Sequence, residues 1–268
     1  MNKLSPVVKY LLFVNILFFV LKFAYSYFYP SNDLGRILGL FFFQSPNFNP
    51  YQIVTHIFMH ANFFHLLFNM FALVSFGSMV EESLGSKRFF IYYFICGMGA
   101  VLLHTSVQYF EFGNMMGDYA AFTSHPTYDA FANFSDTYYA GSRQDPAIQN
   151  LMTNWYKFPN DVQLIAQAKS FVKDIYEIKI NVPTVGASGA IFGVLMAFGY
   201  LFPDVKLFLM LIPVPIKAKY AVWLYAGMEL MLGINNSPTD NVAHFAHLGG
   251  LLIGLILLKI WKVKPNFR

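Results

Sequence analysis

Apolar runs long enough to cross a bilayer constrain this chain more than any other feature of its sequence. A spanning helix needs about 20 largely apolar residues, because lipid offers no partner to an unpaired backbone group. Six stretches meet or approach that length: Val7–Tyr29, Phe63–Val80, Phe89–Phe110, Ala187–Phe202, Tyr220–Ile234 and Val242–Trp261. The fourth and fifth are short. Composition agrees, since 12% of the residues are charged, against roughly 25% in a soluble domain. The sequence therefore predicts an all-α polytopic membrane protein built as a six-helix bundle. Met1–Phe19 has the basic start and apolar body of a signal peptide. Its apolar run continues past Lys22 to Tyr29 without a small-residue cleavage site, so it reads as a retained first span.

Basic residues near the span ends set the orientation. With the N-terminus inside, the inner ends collect Lys3, Lys9, Lys87, Arg88, Lys206, Lys217, Lys219, Lys259, Lys262, Lys264 and Arg268. The first outer connection holds Arg36, and nothing basic lies between Ile234 and Asn241. Both termini are expected in the cytoplasm, and a bacterial cell (inner) membrane is the expected location. The single Cys96 excludes a disulfide framework and a Cys-rich metal site.

The connections differ in character. Pro30–Asn62 is rich in Phe and Pro, and its Phe41-Phe42-Phe43 run is expected in the membrane interface. The polar segment 113–184 reads as a folded insertion outside the membrane, within one membrane domain of residues 1–268; an interfacial amphipathic helix is the other reading. Asn160 is expected to cap a helix running to about Ile178, with Val162, Ile165, Phe171, Val172, Ile175 and Ile178 on its apolar face. Pro213 and Pro215 make Val205–Ile216 an extended or interfacial connection.

Polar side chains inside spans are costly and point to function. In the second span His65 and Asn69 share a helix face, and His56 and His60 repeat the four-residue spacing upstream. The last span opens with His244 and His247, followed by Gly250 and Gly254. His247 and both glycines lie on one face, where glycines let a neighbouring helix approach. Ser188 opens the fourth span among small residues, Val185-Gly186-Ala187-Ser188-Gly189-Ala190, a pattern that helix packing alone also produces. Spans two, four and six run from the outer face inward, so Ser188, His247, His65 and Asn69 fall in one layer, with Ser188 and His247 within roughly 10 Å of the outer ends.

These residues together resemble the rhomboid family of intramembrane serine proteases. The likeness rests on Gly186-Ala187-Ser188-Gly189, on His247 with Gly250 and Gly254, on Thr55 to Met70, and on Val80 to Ser86. It implies a Ser–His dyad in a water-filled cavity open to the outer side. Such an enzyme would cleave single-pass or multi-pass membrane proteins near the outer face through an acyl-enzyme. Ser188 would be the nucleophile and His247 the general base and acid, with an oxyanion site made by the Ser188 N–H, His65 and Asn69. No metal, cofactor or nucleic acid is implied, the lipid bilayer is, and the oligomeric state is left open. Where many members carry Trp-Arg, this chain has Tyr51-Gln52, which puts a family-like anchoring of the first loop in question. No acidic residue is expected to orient His247: Asp240 is too near the surface, and Glu229 reads as a satisfied structural residue, with part of a gate as the other reading. His244 is the alternative base. Two competing functions stand beside this one. The first is a metal-dependent enzyme using His56, His60 and His65 or His244 and His247, although no H-E-x-x-H pattern is present. The second is an inactive adaptor, which would lack the serine or the histidine.

Overall fold

A computed structural model describes residues 4–139, 141–209, 212–235 and 242–266. Lys3, Asp240 and Arg268, used in the sequence reading, lie outside the described residues.

The first helix, α1 (Pro6–Phe28), starts with Pro at a position where no backbone N–H is needed. Short helices α2 (Leu34–Leu38) and α3 (Gln52–Thr55) punctuate the loop that follows, and a 3-10 turn, His56–Phe58, continues from α3. The second span is α4 (Phe63–Ala72), a π-helical turn (Leu73–Gly77) and α5 (Ser78–Leu84) in one continuous run. Gly85, with φ +79°, makes the one-residue corner into α6 (Ser86–Ser124). That positive φ suits glycine because it lacks the Cβ that would clash.

Helix α6 corrects the expected third span, which was placed at Phe89–Phe110. It runs unbroken for 39 residues, about 58 Å, roughly twice the hydrocarbon thickness of a bilayer. The change to polar composition after Phe110 does not end it, because its far end has its own packing to do. Met115 and Phe122 are buried with Phe131 and Phe134 of α7 (Tyr128–Tyr138), Trp155 of α8 (Pro146–Lys157) and Val172 of α9 (Val162–Ile180). These residues form a core separate from that of the bundle. Side chains cap all three short helices: Thr127 for α7, Asp145 for α8 and Asp161 for α9. The expected cap of α9, Asn160, is therefore off by one. Asp161 accepts from the Gln163 and Leu164 backbone N–H groups at 2.8 and 3.3 Å.

The remaining elements are α10 (Ser188–Leu201), strands β1 (Lys206–Leu209) and β2 (Ile212–Lys217), α11 (Ala218–Asn235) and α12 (His244–Ile260). The connection expected to be extended is an antiparallel hairpin, with Lys206 opposite Lys217. Lys217 and Lys219 reach the Asp204 carboxylate at 2.8 and 3.2 Å and hold it below the usual carboxylate range. Among the described residues, α1, the α4–α5 run and α6 are long and apolar enough to cross a membrane, while α10 and α12 are apolar but shorter.

Between lipid-exposed helices the hydrophobic effect contributes little, so close packing must hold the bundle. Helices α6, α10 and α12 meet through small residues. A Cβ at Gly250 would collide with the Gly189 carbonyl oxygen, and one at Gly193 would lie 2.5 Å from Cys96. Tyr92 of α6 donates its hydroxyl to the Gly193 carbonyl at 2.7 Å.

Glu81 fastens the other side. Its buried carboxylate accepts from the backbone N–H groups of Val7 and Val8 at 3.1 and 3.0 Å, from the Ser5 hydroxyl, and from the Ser86 hydroxyl at 2.7 Å. One side chain thus ties the free end of α1 to the corner between α5 and α6. Replacing Glu81 by Ala strands those donors and is expected to cost about 2–3 kcal/mol. Denaturant unfolding in detergent, followed by circular dichroism, measures it; a loss under 0.5 kcal/mol would show the contact to be dispensable.

Candidate active site

Ser188 is the first residue of α10, and no side chain caps that helix end. Helices α4, α7, α8 and α9 all have such a cap. The first-turn N–H groups of α10 are thereby left to face whatever lies beside Ser188, and their dipole favours an anion there.

The chain is guided into Ser188 by its pairing with the first loop. Leu40 and Thr184 exchange backbone hydrogen bonds of 2.9 and 2.7 Å, and the Gly186 N–H donates to the His56 carbonyl at 2.9 Å. The His56 Nδ1 in turn contacts the Gln52 carbonyl at 2.9 Å. Gln52 belongs to the Tyr51-Gln52 pair noted above as a departure from the resemblance, and it nevertheless anchors this loop. Its side-chain amide donates to the carbonyls of Ile37 and Asn47 at 3.2 and 3.1 Å, and its oxygen accepts from Phe41 and Asn49 at 3.4 and 3.0 Å. With 1% of its surface exposed, it serves here as a buried four-bond clamp.

His65 and Asn69 both stand on α4, whose start is capped by Asn62, the acceptor for the His65 N–H at 2.9 Å. A Cβ placed on Gly186 would lie 2.7 Å from His65 Cε1 and 3.7 Å from Ser188 Oγ. The imidazole and the serine hydroxyl therefore flank the same glycine. The Asn69 amide nitrogen is buried and lacks a hydrogen-bond partner. A donor in that state is costly unless something arrives to accept from it. His60, also buried, packs edge-on against His65 with ring centroids 5.1 Å apart, and Lys22 of α1 donates to the His60 and Ala61 carbonyls at 3.2 Å each.

On α12, His247 stacks on Phe192 of α10, with ring centroids 4.2 Å apart and planes within 7°. Phe192 lies four residues after Ser188, on the same helix face. The base candidate is thus set against the face of α10 that carries the serine, although no direct hydrogen bond joins the two. Catalytic hydrogen bonds are often long before substrate binds.

The sequence reading found no acidic partner for His247, and here the structure corrects it. Glu229 of α11 brings Oε2 to 2.9 Å from His247 Nδ1 and 2.6 Å from His244 Nδ1. The His244 contact is an aligned hydrogen bond, whereas the His247 contact is close but off the ring N–H direction. The ligand atoms of Glu229, His244 and His247 all lie within 4.8 Å of one another, a set able to hold a metal ion. The signal for Glu229 was present in the sequence: a carboxylate inside a span is expensive and calls for a partner. His104 of α6 was missed on the same grounds; its Nε2 is 3.1 Å from the Thr184 hydroxyl.

A family model described as the Rhomboid domain matches residues 47–116 and 149–262 of this chain, which is more than half of it. The chain belongs to the rhomboid family. Among curated relatives, the yeast (Saccharomyces cerevisiae) mitochondrial Rhomboid protein 1 is 28% identical over 210 residues, covering 76% of this chain and 40% of that protein. Rhomboid-like protein 11, chloroplastic, of Arabidopsis thaliana is 45% identical over 53 residues, 20% of this chain and 19% of its own length. Rhomboid-like protease 3 of Toxoplasma gondii is 32% identical over 62 residues, 23% and 24% respectively. The match thus spans less than half the length of each of these rhomboid relatives. The two matched blocks cover the site between them, the first with Gln52, His65 and Asn69 and the second with Ser188, Glu229 and His247. The unmatched stretch between them, 117–148, falls in the end of α6, α7 and the start of α8.

Gly186 has φ +130°, a conformation that strains any residue with a Cβ, and it has no room beside His65. Gly186→Ala is expected to displace His65 and lower the rate of fluorophosphonate labelling at Ser188 at least tenfold, with helicity preserved. Labelling at the wild-type rate would show that this corner does not shape the site.

Proposed function

We propose that this rhomboid-family protein is an intramembrane serine endopeptidase that cleaves membrane-spanning substrates near the outer face. The observation that carries the reading is the convergence on the uncapped start of α10. Ser188 lies there beside His65, with a buried, unpartnered Asn69 amide in the same layer and His247 stacked on the serine's own helix face.

In this mechanism Ser188 Oγ attacks the scissile carbonyl while His247 takes its proton. The tetrahedral oxyanion is met by the Ser188 N–H, the Asn69 amide and the His65 imidazole. His247 then returns the proton to the leaving amine as the acyl-enzyme forms, and water releases the acyl group by the reverse sequence. The substrate must be unwound at the cut, because a helical amide is already engaged with its own backbone. Six spans follow, formed by α1, the α4–α5 run, α6, α10, α11 and α12, with both termini on the inner side and segment 113–184 outside. A bacterial cell membrane as the location is a proposal from the charge pattern alone; the printed name of the yeast relative places that protein in the mitochondrion.

One observation favours a second reading. The donor set of Glu229, His244 and His247 suits a zinc-type ion, which would make the protein a metal-dependent membrane hydrolase. Cleavage abolished by a chelator and indifferent to Ser188→Ala would support that reading and remove the serine mechanism.

The deciding test is cleavage of a transmembrane substrate in proteoliposomes. Ser188→Ala and His247→Ala are expected to abolish turnover, and persistence near the wild-type rate in either would overturn the serine reading. Asn69→Ala is expected to lower kcat by about 10²–10³ with the fold intact, the usual effect of removing an oxyanion donor. An unchanged kcat would make Asn69 structural.

A further inference from the structure

We propose that Glu229 is a positioning residue for His247, so that the site works as a Ser–His–Glu set rather than a pair. The proposal rests on the serine-protease reading given above. It starts from cost: a carboxylate in α11, the helix proposed as the fifth span, needs a compensating partner. The only ion-pair partners of Glu229 among the described residues are the two imidazoles, both met through Oε2.

Two contacts bear on the orientation of the His247 ring. Stacking on Phe192 with planes within 7° sets the plane of the His247 imidazole, leaving rotation within that plane free. The carboxylate 2.9 Å from Nδ1, off the N–H direction before substrate binds, is the group positioned to set that rotation once the contact aligns. An ionised carboxylate only accepts, so it selects the tautomer with the proton on Nδ1 and leaves the Nε2 lone pair to take a proton. Nε2 lies on the opposite flank of the ring, away from Glu229. When Ser188 gives up its proton, His247 becomes an imidazolium, and the nearby negative charge stabilises that state more than the neutral ring. Such an interaction, stronger in the transition state than in the ground state, raises kcat rather than substrate affinity.

His244 then has a part distinct from that of the base. Its aligned 2.6 Å bond to the same oxygen holds Glu229 in the bundle from the far side. The rings of His244 and His247 are perpendicular, with centroids 6.4 Å apart, so the carboxylate oxygen is approached from two directions. The longer, misaligned contact to His247 is the one free to tighten once substrate orders the site.

The test compares wild type with Glu229→Gln, Glu229→Asp and Glu229→Ala in proteoliposomes, alongside Ser188→Ala and His247→Ala. Glu229→Gln keeps the size and removes the charge. It is expected to lower kcat about 10⁴-fold with KM within twofold of wild type, the pattern for loss of a base-orienting carboxylate. Glu229→Asp is expected to recover to within tenfold of wild type. Imidazole ¹⁵N resonances, assigned by their loss in His247→Ala, are expected to show the proton on Nδ1 in wild type and a mixture in Glu229→Ala. A kcat within threefold of wild type for both Glu229→Gln and Glu229→Asp, with the Ser188 and His247 variants inactive, would remove Glu229 from the mechanism. So would a wild-type His247 protonated on Nε2, a result that needs no variant of Glu229 to fold. Turnover surviving in Ser188→Ala or His247→Ala would instead bring down the serine reading itself.

Discussion

The contact on which the rest of this structure depends is the one between Gly189 and Gly250. The two backbones are close enough that no side chain fits at position 250, and Gly193, Gly249 and Gly254 extend the same seam against α6, α10 and α12. In lipid this closeness is what gives a helix pair its dispersion energy, since there is no water to expel. It also sets chemistry: His247 is three residues before Gly250, and Ser188 is one before Gly189. The glycines that hold the bundle together are therefore the ones that set the depth and spacing of the proposed nucleophile and base.

Around that seam the buried polar groups divide by what satisfies them. Glu81 and Gln52 are surrounded by donors and acceptors from two or more segments, and each fastens parts of the chain that the apolar core holds loosely. Asn69 is the opposite case, a buried amide whose nitrogen has no partner. Burying such a group costs free energy comparable to several ordinary hydrogen bonds. A fold carries that cost most readily where a ligand atom supplies the missing partner. Glu229 falls between these cases: one of its oxygens meets two imidazoles, and of the two only His244 makes an aligned hydrogen bond.

How much of this was legible in the sequence follows from what each feature depends on. Apolar length and four-residue spacing are local, so the membrane bundle, the shared face of His65 and Asn69, and the small residues around Ser188 could be read directly. The end of α6 could not, because it is decided by the packing of Met115 and Phe122 on helices far along the chain. The hairpin at 206–217 depends on pairing rather than on the prolines that marked it as irregular. The partner of His247 was missed for a similar reason. Glu229 and His247 are 18 residues apart on different helices, and only the angle between α11 and α12 brings them together. A carboxylate in a span shows that a partner exists, without showing which one.

Segment 113–184 illustrates how the fold keeps a separately packed part of the chain in register with the site. Helix α6 carries it rigidly at one end, since the same helix supplies Cys96 and Ala100 to the glycine seam and Phe122 to the insertion core. At the other end the chain leaves α9 through Asn181, whose side-chain oxygen accepts from Ser45 at 2.6 Å and Asn47 at 2.8 Å. It then pairs through Thr184 with Leu40, and Gly186 donates to His56 before Ser188 begins α10. The loop that Gln52 clamps is thus also the loop that receives the insertion's return strand. A displacement of segment 113–184 would reach Ser188 through backbone hydrogen bonds within a few residues, whereas one in the 206–217 hairpin would have to travel the length of α10. Physical coupling to the proposed nucleophile is therefore much tighter from segment 113–184, of which residues 117–148 lie outside the matched family blocks.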